Sequence, residues 1–356
     1  MRVLLSGGAG YIGAHTALAL IEAGHHVIVV DDLSNSSAEA IVRVQQLSGV
    51  AVPLLVADVR DEPALRAFVQ AHSPVDAVIH FAGAKAVGES VADPIRYYDV
   101  NLGSAIAVLK VMAAERISTI VFSSSATVYG QSESLPLSES SPTGIDLANP
   151  YGKTKRIIEA ILEDAASADP GLAAIALRYF NPVGAHPSGL IGEDPSGVPN
   201  NLMPYVARVA VGALERVGIY GDDYATPDGT GQRDYIHVLD LAAGHVAALE
   251  HARAGYDVFN LGTGVPVSVL ELIAAFERAA GRSIPTEVLG RRPGDVAASY
   301  CDPSKAGREL DWIASRTIDD ACRDTWRWQS LNPAGYGSAA DRRAAASGSQ
   351  LGAGAA

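Results

Sequence analysis

The chain has 356 residues, of which 48% are hydrophobic and 19% are charged, and its formal net charge is −13 with histidine neutral. This balance is typical of a globular protein with about two domains, and it excludes disorder throughout. The acidic charge repels polyanions, so we expect no nucleic-acid partner and no membrane partner, although a local basic pocket could still bind a small anion.

Cysteine usage and hydropathy indicate the compartment. Cys301 and Cys322 are too few for a disulfide framework and suit a reducing environment. The N-terminus runs directly into a strand-like segment without the apolar stretch of a signal peptide, and no apolar run approaches the roughly 18 residues that span a bilayer. We therefore expect a cytoplasmic protein. The nine histidines are scattered without metal-ligand spacing, so we expect no metal site.

Strand and helix signals alternate through the first half of the chain. This alternation indicates an α/β fold with a doubly wound parallel sheet of the Rossmann type, whose ligand lies at the carboxyl ends of the strands. Strands are predicted at residues 2–6, 26–30, 52–56, 77–81, 119–123 and 173–179, and helices at 12–23, 62–71, 93–115 and 151–168.

The composition changes after Asn181. Residues 181–201 are rich in Gly, Pro, Asp and Asn and are predicted to form ordered loops. Further elements are predicted as helices at 203–211, 239–252 and 269–280 and a strand at 258–261. We expect three regions: a Rossmann domain from residues 1–181 plus about 233–262, a smaller α/β substrate-binding lobe from 182–232 plus 263–332, and a flexible Ala/Gly/Ser-rich tail from 333–356.

A glycine-rich turn joins the first predicted strand to the first predicted helix. In it, Gly7 permits a tight turn, Gly10 leaves room for a pyrophosphate and Gly13 lets the helix pack on the strand. The helix N-terminus presents free N–H groups to the phosphates. Asp31 lies 18 residues beyond Gly13, where an acid binds the ribose hydroxyls of NAD and disfavours the extra phosphate of NADP. The pattern predicts an NAD site. Further cofactor neighbours are predicted where later strands end, at Asp58 and at the turn Phe81-Ala82-Gly83.

A tyrosine and a lysine stand four residues apart at the start of a predicted helix. Tyr151 and Lys155 therefore face the same way, one turn apart. A cation at roughly 4 Å, in an effective dielectric of about 20, favours the phenolate by on the order of 4 kcal/mol, or about three pKa units. We therefore expect Lys155 to lower the pKa of Tyr151 enough for it to act as a general base near neutral pH. A hydroxyl of the run Ser123-Ser-Ser125 is predicted to bind the reacting oxygen.

Together these motifs resemble the extended short-chain dehydrogenase/reductase superfamily and, within it, the UDP-glucose 4-epimerase family, from Met1 to about Pro333. The segments that carry the resemblance are Phe122-Ser-Ser-Ser-Ala-Thr-Val-Tyr-Gly130, Asn149-Pro-Tyr-Gly-Lys-Thr-Lys155, Arg178-Tyr-Phe-Asn-Pro-Val-Gly-Ala-His-Pro187, Gly192-Glu-Asp-Pro195, Pro199-Asn-Asn-Leu-Met-Pro204 and Asp228-Gly-Thr-Gly-Gln-Arg-Asp-Tyr-Ile-His237.

The resemblance implies a reaction, the reversible inversion of a UDP-hexose at its 4-position with a bound NAD. Tyr151 would take the proton of the 4-hydroxyl while hydride leaves to NAD, and the 4-keto sugar would turn over before hydride returns to its other face. Lys155 would hold the nicotinamide ribose, and Ser125 would bind the sugar oxygen. Such a scheme requires a tight UDP anchor and few contacts to the hexose.

The resemblance also implies the binding residues. The cofactor contacts would be Gly7, Gly10, Tyr11, Ile12, Gly13, Asp31, Asp32, Leu33, Ser34, Asn35, Ser36, Asp58, Val59, Phe81, Ala82, Gly83, Ala84, Lys85, Asn101, Tyr151, Lys155 and Phe180. The substrate contacts would be Lys85, Ser125, Asn181, Asn201, Leu202, Tyr220, Arg233, Arg292, Asp295 and Ser299. In this set, Tyr220 would stack on uracil, the two arginines would bind the diphosphate, and Asp295 would take the uridine ribose hydroxyls.

One of these positions bears on substrate range. Ser299 matches a place where some family members carry a bulky tyrosine beside the 2-substituent of the sugar. Members with a small residue there tend to accept N-acetylated sugars. We therefore hypothesise that UDP-GlcNAc and UDP-GalNAc are substrates as well.

Three alternative functions would require different residues or a different pocket. A nucleotide-sugar 4,6-dehydratase needs an acid pair after the serines, where this chain has Ala126 and Thr127. A non-catalytic NAD-sensing regulator would be expected to lack Tyr151 and Lys155. A UDP-uronic acid 4-epimerase stays open, because it needs only an altered pocket near the 6-position. The resemblance further implies a homodimer that pairs the helices predicted at 93–115 and 151–168.

Overall fold

The structure is a computed structural model that describes residues 1–132, 134–147, 149–292 and 294–337. The described strands are β1 (Arg2–Ser6), β2 (His26–Asp31), β3 (Leu54–Val56), β4 (Ala77–His80), β5 (Thr119–Ser123), β6 (Ala173–Tyr179), β7 (Asn181–Val183), β8 (Val217–Tyr220), β9 (Gln232–His237), β10 (Gly255–Leu261), β11 (Pro266–Ser268), β12 (Thr286–Leu289) and β13 (Ala298–Ser299).

The described helices are α1 (Tyr11–Glu22), α2 (Ala38–Ser48), α3 (Glu62–Ala71), α4 (Val87–Ala92), α5 (Pro94–Glu115), α6 (Pro150–Ala168), α7 (Leu202–Ala210), α8 (Val238–Glu250), α9 (Val269–Ala280), α10 (Ser304–Glu309) and α11 (Ile318–Leu331).

A parallel sheet of seven described strands forms the larger part of the fold. Its strand order is β10-β6-β5-β4-β1-β2-β3, and all of its pairs are parallel. Strand residues alternate between the two faces, so Val3 and Leu5 join a core with α1, α2 and α8, whereas Leu4 joins a core with α3, α5 and α6. The predicted doubly wound Rossmann-type fold is confirmed.

The sheet is extended at one end by a smaller layer. Strand β7 follows β6 after a single residue and pairs with β9, which also pairs with β11 and β13. A separate pair, β8 and β12, covers another side of this region. Helices α7, α9 and α11 pack on these strands around a third apolar cluster.

Several elements of the second half differ from the sequence prediction. Residues 181–201 were predicted to be loops, but β7 begins this segment because Asn181, Pro182 and Val183 pair with β9. A three-residue strand that depends on a partner about 50 residues away has no local signal of its own. The prediction also omitted α2, α4, α10 and α11 and the strands β8, β9, β11, β12 and β13.

The predicted flexible tail begins too early. Residues 333–337 pack against the body of the protein, and the Tyr336 ring lies 4.7 Å from the Trp328 ring and 5.1 Å from the Arg43 guanidinium carbon. These contacts anchor the segment. The remainder of the predicted tail, residues 338–356, lies outside the described residues.

None of the helices in the described part of the chain combines the length and the apolar character needed to cross a lipid bilayer.

Candidate active site

In the glycine-rich turn between β1 and α1, neighbouring backbone segments lie close to Gly7 and Gly13. Gly7 has a positive φ of 73°, and a Cβ on it would lie 2.6 Å from the backbone N of Ala82. A Cβ on Gly13 would lie 2.6 Å from the Gly7 carbonyl oxygen. Gly10, by contrast, faces a cleft, since a Cβ there would approach only that same oxygen, at 3.4 Å. The space beside Gly10 therefore fits a pyrophosphate.

The N-terminus of α1 is open to a phosphate. Its N-cap is Gly10, which supplies no side chain to bind the first N–H groups. Unpaired N–H groups and the helix dipole favour an anion at that point. Tyr11 and Ile12 begin the helix, and the Tyr11 hydroxyl donates to the Gly184 carbonyl at 2.6 Å, which ties the turn to the loop after β7.

Asp31 ends β2 beside this turn and is 6% exposed. One carboxylate oxygen accepts the Ala9 N–H at 2.9 Å, and the other accepts the Leu33 N–H at 3.0 Å and the Ser36 hydroxyl at 2.7 Å. Burial raises the pKa of Asp31, and these hydrogen bonds act in the opposite direction. The carboxylate is thus fixed where NAD ribose hydroxyls are bound in Rossmann folds.

The other predicted cofactor residues lie at the same edge of the sheet, after β2, β3 and β4. Asp32 binds the Ser34 hydroxyl at 2.7 Å and precedes Asn35, which lines the cleft. Asn101 fixes the segment after β4, because its side chain accepts from Ala84 N at 2.7 Å and donates to Ala84 O at 3.1 Å. The remaining predicted residues of these segments are Asp58 and Val59 after β3, and Phe81, Ala82, Gly83 and Lys85 after β4.

Ser125, Tyr151 and Lys155 converge beside this edge. Ser125 follows β5 and is 8% exposed, and its oxygen accepts the Thr127 N–H at 3.2 Å. Asn149 caps α6 by accepting the Gly152 N–H at 2.8 Å, which sets Tyr151 in the first turn and Lys155 in the second. The Lys155 ammonium lies 5.7 Å from the Tyr151 ring centre and donates to the Ser123 carbonyl at 2.6 Å.

The pKa values of Tyr151 and Lys155 differ from the prediction. Burial raises the pKa of Tyr151 to about 12, and a hydrogen bond with Ser125 acts in the lowering direction. Burial also lowers the pKa of Lys155 to about 7, while the charge of Glu159 raises it. Lys155 directs its ammonium at a backbone carbonyl rather than at the phenol. Desolvation therefore outweighs the neighbouring cation in setting the pKa of Tyr151.

A buried ion pair between Glu159 and Arg178 contacts the serine run that ends at Ser125. Glu159 is fully buried and receives two hydrogen bonds from Arg178, each at 2.8 Å, and a third from the Ser124 hydroxyl at 2.6 Å. The neighbouring Tyr179 hydroxyl bonds the Ser123 hydroxyl. Both serines before Ser125 are thus held by side chains of α6 and β6. These contacts of Ser123 and Ser124 were not predicted, since no local motif links the serines to Glu159 or Tyr179.

Two predicted substrate residues meet at an acid that the prediction left unassigned. Glu193 lies in the matched segment Gly192-Glu-Asp-Pro195, and its carboxylate stands 3.7 Å from the Lys85 ammonium and 3.5 Å from the Asn201 amide nitrogen. Burial raises the pKa of Glu193. Leu202 begins α7 directly after Asn201. The segment Gly192-Glu-Asp-Pro195 was the sequence signal from which Glu193 could have been predicted as a site residue.

Three further predicted substrate residues are brought together by β9 and β13. Arg233 on β9 pairs in register with Ser299 on β13. The Arg233 guanidinium binds the Asp295 carboxylate at 3.0 Å and the Val296 carbonyl at 3.0 Å. Asn181 begins β7, which pairs with the same strand β9, and Phe180 is the buried residue between β6 and β7. Arg233, Asp295 and Ser299 therefore lie close together around β9.

Tyr220 and Arg292 contact each other directly. The guanidinium carbon of Arg292 lies 3.7 Å from the centre of the Tyr220 ring, a cation–π contact at the end of β8. Tyr220 is 37% exposed. A base that stacks on Tyr220 would use the face that Arg292 leaves free or would displace the guanidinium.

Similar proteins were found by sequence and by structure. A model of the NAD dependent epimerase/dehydratase family matches residues 3–262. UDP-glucose 4-epimerase of Bacillus subtilis (strain 168) is 53% identical over 341 residues, covering 95% of this chain and 100% of that protein. The enzyme of that name from Mus musculus is 52% identical over 347 residues, covering 95% and 99%. A crystal structure of UDP-glucose 4-epimerase from Bifidobacterium longum in complex with NAD+ and UDP has 55% identity and a TM-score of 0.91, covering 94% of this chain and 100% of that one.

The parallel sheet, the glycine turn with its terminal acid and the Ser–Tyr–Lys set define the class, an NAD-dependent enzyme of the Rossmann type. The chain belongs to the NAD dependent epimerase/dehydratase family and, within it, to the UDP-glucose 4-epimerases, since it spans nearly the whole length of such relatives at about half identity.

Proposed function

We propose that the protein interconverts UDP-glucose and UDP-galactose reversibly, with bound NAD and a transient 4-keto sugar. The observation that carries this proposal is the convergence of Ser125, Tyr151 and Lys155 after β5, a strand of the same parallel sheet that carries the glycine turn. A phenol, a hydroxyl and an ammonium at that place supply a base, an orienting group and a cation for carbon–oxygen oxidation.

Each of the three groups has one task. Tyr151 takes the proton of the 4-hydroxyl and returns it when the alcohol re-forms. The Ser125 hydroxyl would orient the same oxygen, and Lys155, whose ammonium lies 5.7 Å from the Tyr151 ring centre, would hold the nicotinamide ribose. NAD, when bound, supplies the acceptor and then the donor of the hydride on carbon 4, so that no electrons are gained or lost overall.

The UDP anchor lies in the smaller layer. Arg233 and Arg292 offer guanidinium forks to the diphosphate, and Tyr220 offers an aromatic face to uracil. Asn181, Asn201 and Leu202 would supply further contacts to UDP, and Asp295 would bind the uridine ribose hydroxyls. An anchor on the nucleotide leaves the hexose free to turn over between the two hydride transfers.

A direct assay tests this activity. Purified holoprotein mixed with UDP-galactose, without added coenzyme, is expected to form UDP-glucose with no NADH in solution. The comparisons support this activity rather than a UDP-uronic acid 4-epimerase. Turnover of UDP-glucuronic acid in place of UDP-galactose would overturn the proposal.

We further propose that N-acetylated UDP-hexoses are substrates, because Ser299 is small and partly buried in β13 beside Arg233. The substitution Ser299→Tyr adds a ring at that point and is expected to lower the rate with UDP-GalNAc by about tenfold or more while sparing UDP-galactose. Ser304→Tyr, at the start of α10, is the control. Equal loss with both sugars would contradict the proposal.

The sheet topology and the cysteines bear on the domain division and on the compartment of the protein. We propose an NAD-binding domain of residues 1–181 plus about 233–262 and a UDP-sugar lobe of 182–232 plus 263–332, since β10 completes the large sheet and β8, β11, β12 and β13 lie outside it. Both cysteines are free and buried, which suits the cytoplasm. The activity would serve galactose metabolism.

We propose a homodimer formed through α4, α5 and α6. Apolar side chains stand exposed on these helices, with Ile95 75% and Val91 61% exposed. Ile95 and Ile106 are 11 residues apart, three helical turns, and so lie on one side of α5. A second copy of the chain would cover this apolar surface.

A further inference from the structure

Residues 332–337, here called the C-terminal strap, lie against the cofactor cleft. The cleft is lined on one side by the turn at Gly10 and Tyr11 and on the other by residues 192–195, here called the outer loop. Tyr336 of the strap lines the same cleft. No residue of the strap entered the binding site predicted from the sequence.

Tyr336 binds the outer loop at two places, the backbone of Gly192 and the carboxylate of Asp194. Its hydroxyl accepts the Gly192 N–H at 3.1 Å and donates to the Gly192 carbonyl at 3.3 Å. Its backbone N–H donates to the Asp194 carboxylate at 2.9 Å. A Cβ on Gly335, which has a positive φ of 69°, would overlap that same carboxylate. The strap is therefore fitted to the outer loop at several atoms.

The strap is itself clamped by Arg43 on α2. The Arg43 guanidinium donates to the Asn332 side-chain oxygen at 2.7 Å and to the Leu190 carbonyl at 2.9 Å, and its carbon lies 5.1 Å from the Tyr336 ring centre. The Trp328 indole completes the clamp by donating to the Glu193 carbonyl at 3.1 Å. Arg43 belongs to α2, the helix that follows the predicted cofactor residues Asn35 and Ser36, so the clamp joins both walls of the cleft.

The outer loop also carries Glu193, which reaches Lys85 across the cleft. We propose that Tyr336 is a positioning residue of the cofactor site, which fixes the outer loop as a wall of the cleft and thereby slows the release of bound NAD. This inference rests on the proposed function, in which one NAD must stay bound while hydride leaves and returns.

Two truncations form a matched pair that tests the proposal. A chain that ends at Gly337 keeps the strap, whereas a chain that ends at Asn332 loses Tyr336. NAD release from each purified holoprotein is followed without any sugar present, so the result does not depend on epimerase activity. The chain ending at Gly337 is expected to release NAD at the wild-type rate, and the chain ending at Asn332 about tenfold faster or more.

Point variants separate positioning from general stability. Tyr336→Ala is expected to accelerate NAD release as the shorter truncation does, and Tyr336→Phe, which keeps the ring and loses the hydroxyl, to accelerate it less. Any kcat that Tyr336→Ala loses on dilution is expected to return when saturating NAD is added, because the variant releases its cofactor and keeps its reacting groups. Unchanged NAD release in Tyr336→Ala would overturn the proposal, and so would a fall in kcat that added NAD does not restore.

Discussion

Tyr151 and Lys155 show how burial competes with charge at a single site. A neighbouring cation lowers a phenol pKa, but the same burial that strengthens this attraction disfavours both charged forms. Burial prevails here, with the pKa of Tyr151 at about 12 and that of Lys155 at about 7. A further positive charge beside the phenol is therefore expected to favour its base form.

Titration of the phenol tests this point. We expect tyrosinate absorbance attributable to Tyr151 to appear at lower pH in the NAD-bound protein than in the NAD-free protein, because a positively charged nicotinamide ring favours the phenolate. The Tyr151→Phe variant supplies the baseline for the other tyrosines. An identical titration of the NAD-bound and NAD-free proteins would contradict the interpretation.

Removing the phenol hydroxyl tests the role of Tyr151 in turnover. The Tyr151→Phe variant is expected to lose about 10²- to 10⁴-fold in kcat, the usual contribution of a positioned acid–base group, while it keeps its bound NAD. Tyr256→Phe is the control, since the Tyr256 hydroxyl is buried with no hydrogen-bond partner among the described residues. Comparable kcat values for the two variants would remove Tyr151 from its role.

At the scale of elements, α6 and β6 together hold the serine run. Glu159 lies one turn beyond Lys155 on α6, and its ion pair with Arg178 on β6 is buried. Ser124 is bound to Glu159, so the backbone before Ser125 is fixed by the same pair. A buried carboxylate without its partners is costly, and so is a buried guanidinium.

Stability measurements test this support. Glu159→Gln is expected to lower the free energy of unfolding by about 3–5 kcal/mol, because it leaves the Arg178 charge buried and uncompensated. Ser124→Ala removes one hydrogen bond and is expected to cost about 1 kcal/mol. Glu62→Gln, which breaks the exposed pair with Lys110, is the control and should change little. Urea denaturation that ranks Glu159→Gln with the control would refute the assignment.

Sequence patterns predicted the elements whose signals are local. The glycine turn and Asp31 lie within the consecutive elements β1, α1 and β2, and Tyr151 and Lys155 lie within the first two turns of α6. Helix α11 was missed although Thr317 and Asp320 form a capping box, a signal that the sequence displays. The clamp on the C-terminal strap had no such signal, because Arg43 and Asn332 are 289 residues apart.

At the scale of the whole molecule, the exposed apolar side chains of α5 are proposed to contact a second copy of the chain. Replacing Ile95 and Ile106 together by lysine is expected to convert a dimer to a monomer that still binds NAD, because buried charges at an interface disfavour association. Val288→Lys, at an exposed position on β12, is the control. Sedimentation velocity distinguishes the species, and a monomeric wild type would contradict the proposed homodimer.

The overall arrangement joins a rigid cofactor sheet to a smaller layer that carries the nucleotide anchor, with β7 and β9 as the connection. Such a layout lets UDP stay fixed while the hexose changes face above one cofactor. The central claim is that the hydrogen on carbon 4 leaves the sugar and returns to it without exchange.

Isotope retention measures that claim directly. Holoprotein is mixed with UDP-galactose that carries deuterium on carbon 4, and the UDP-glucose formed is analysed by mass and by NMR. The product is expected to keep the deuterium on carbon 4, and none is expected to reach the solvent. Loss of the label from carbon 4, or labelled NADH free in solution in step with the product, would contradict it.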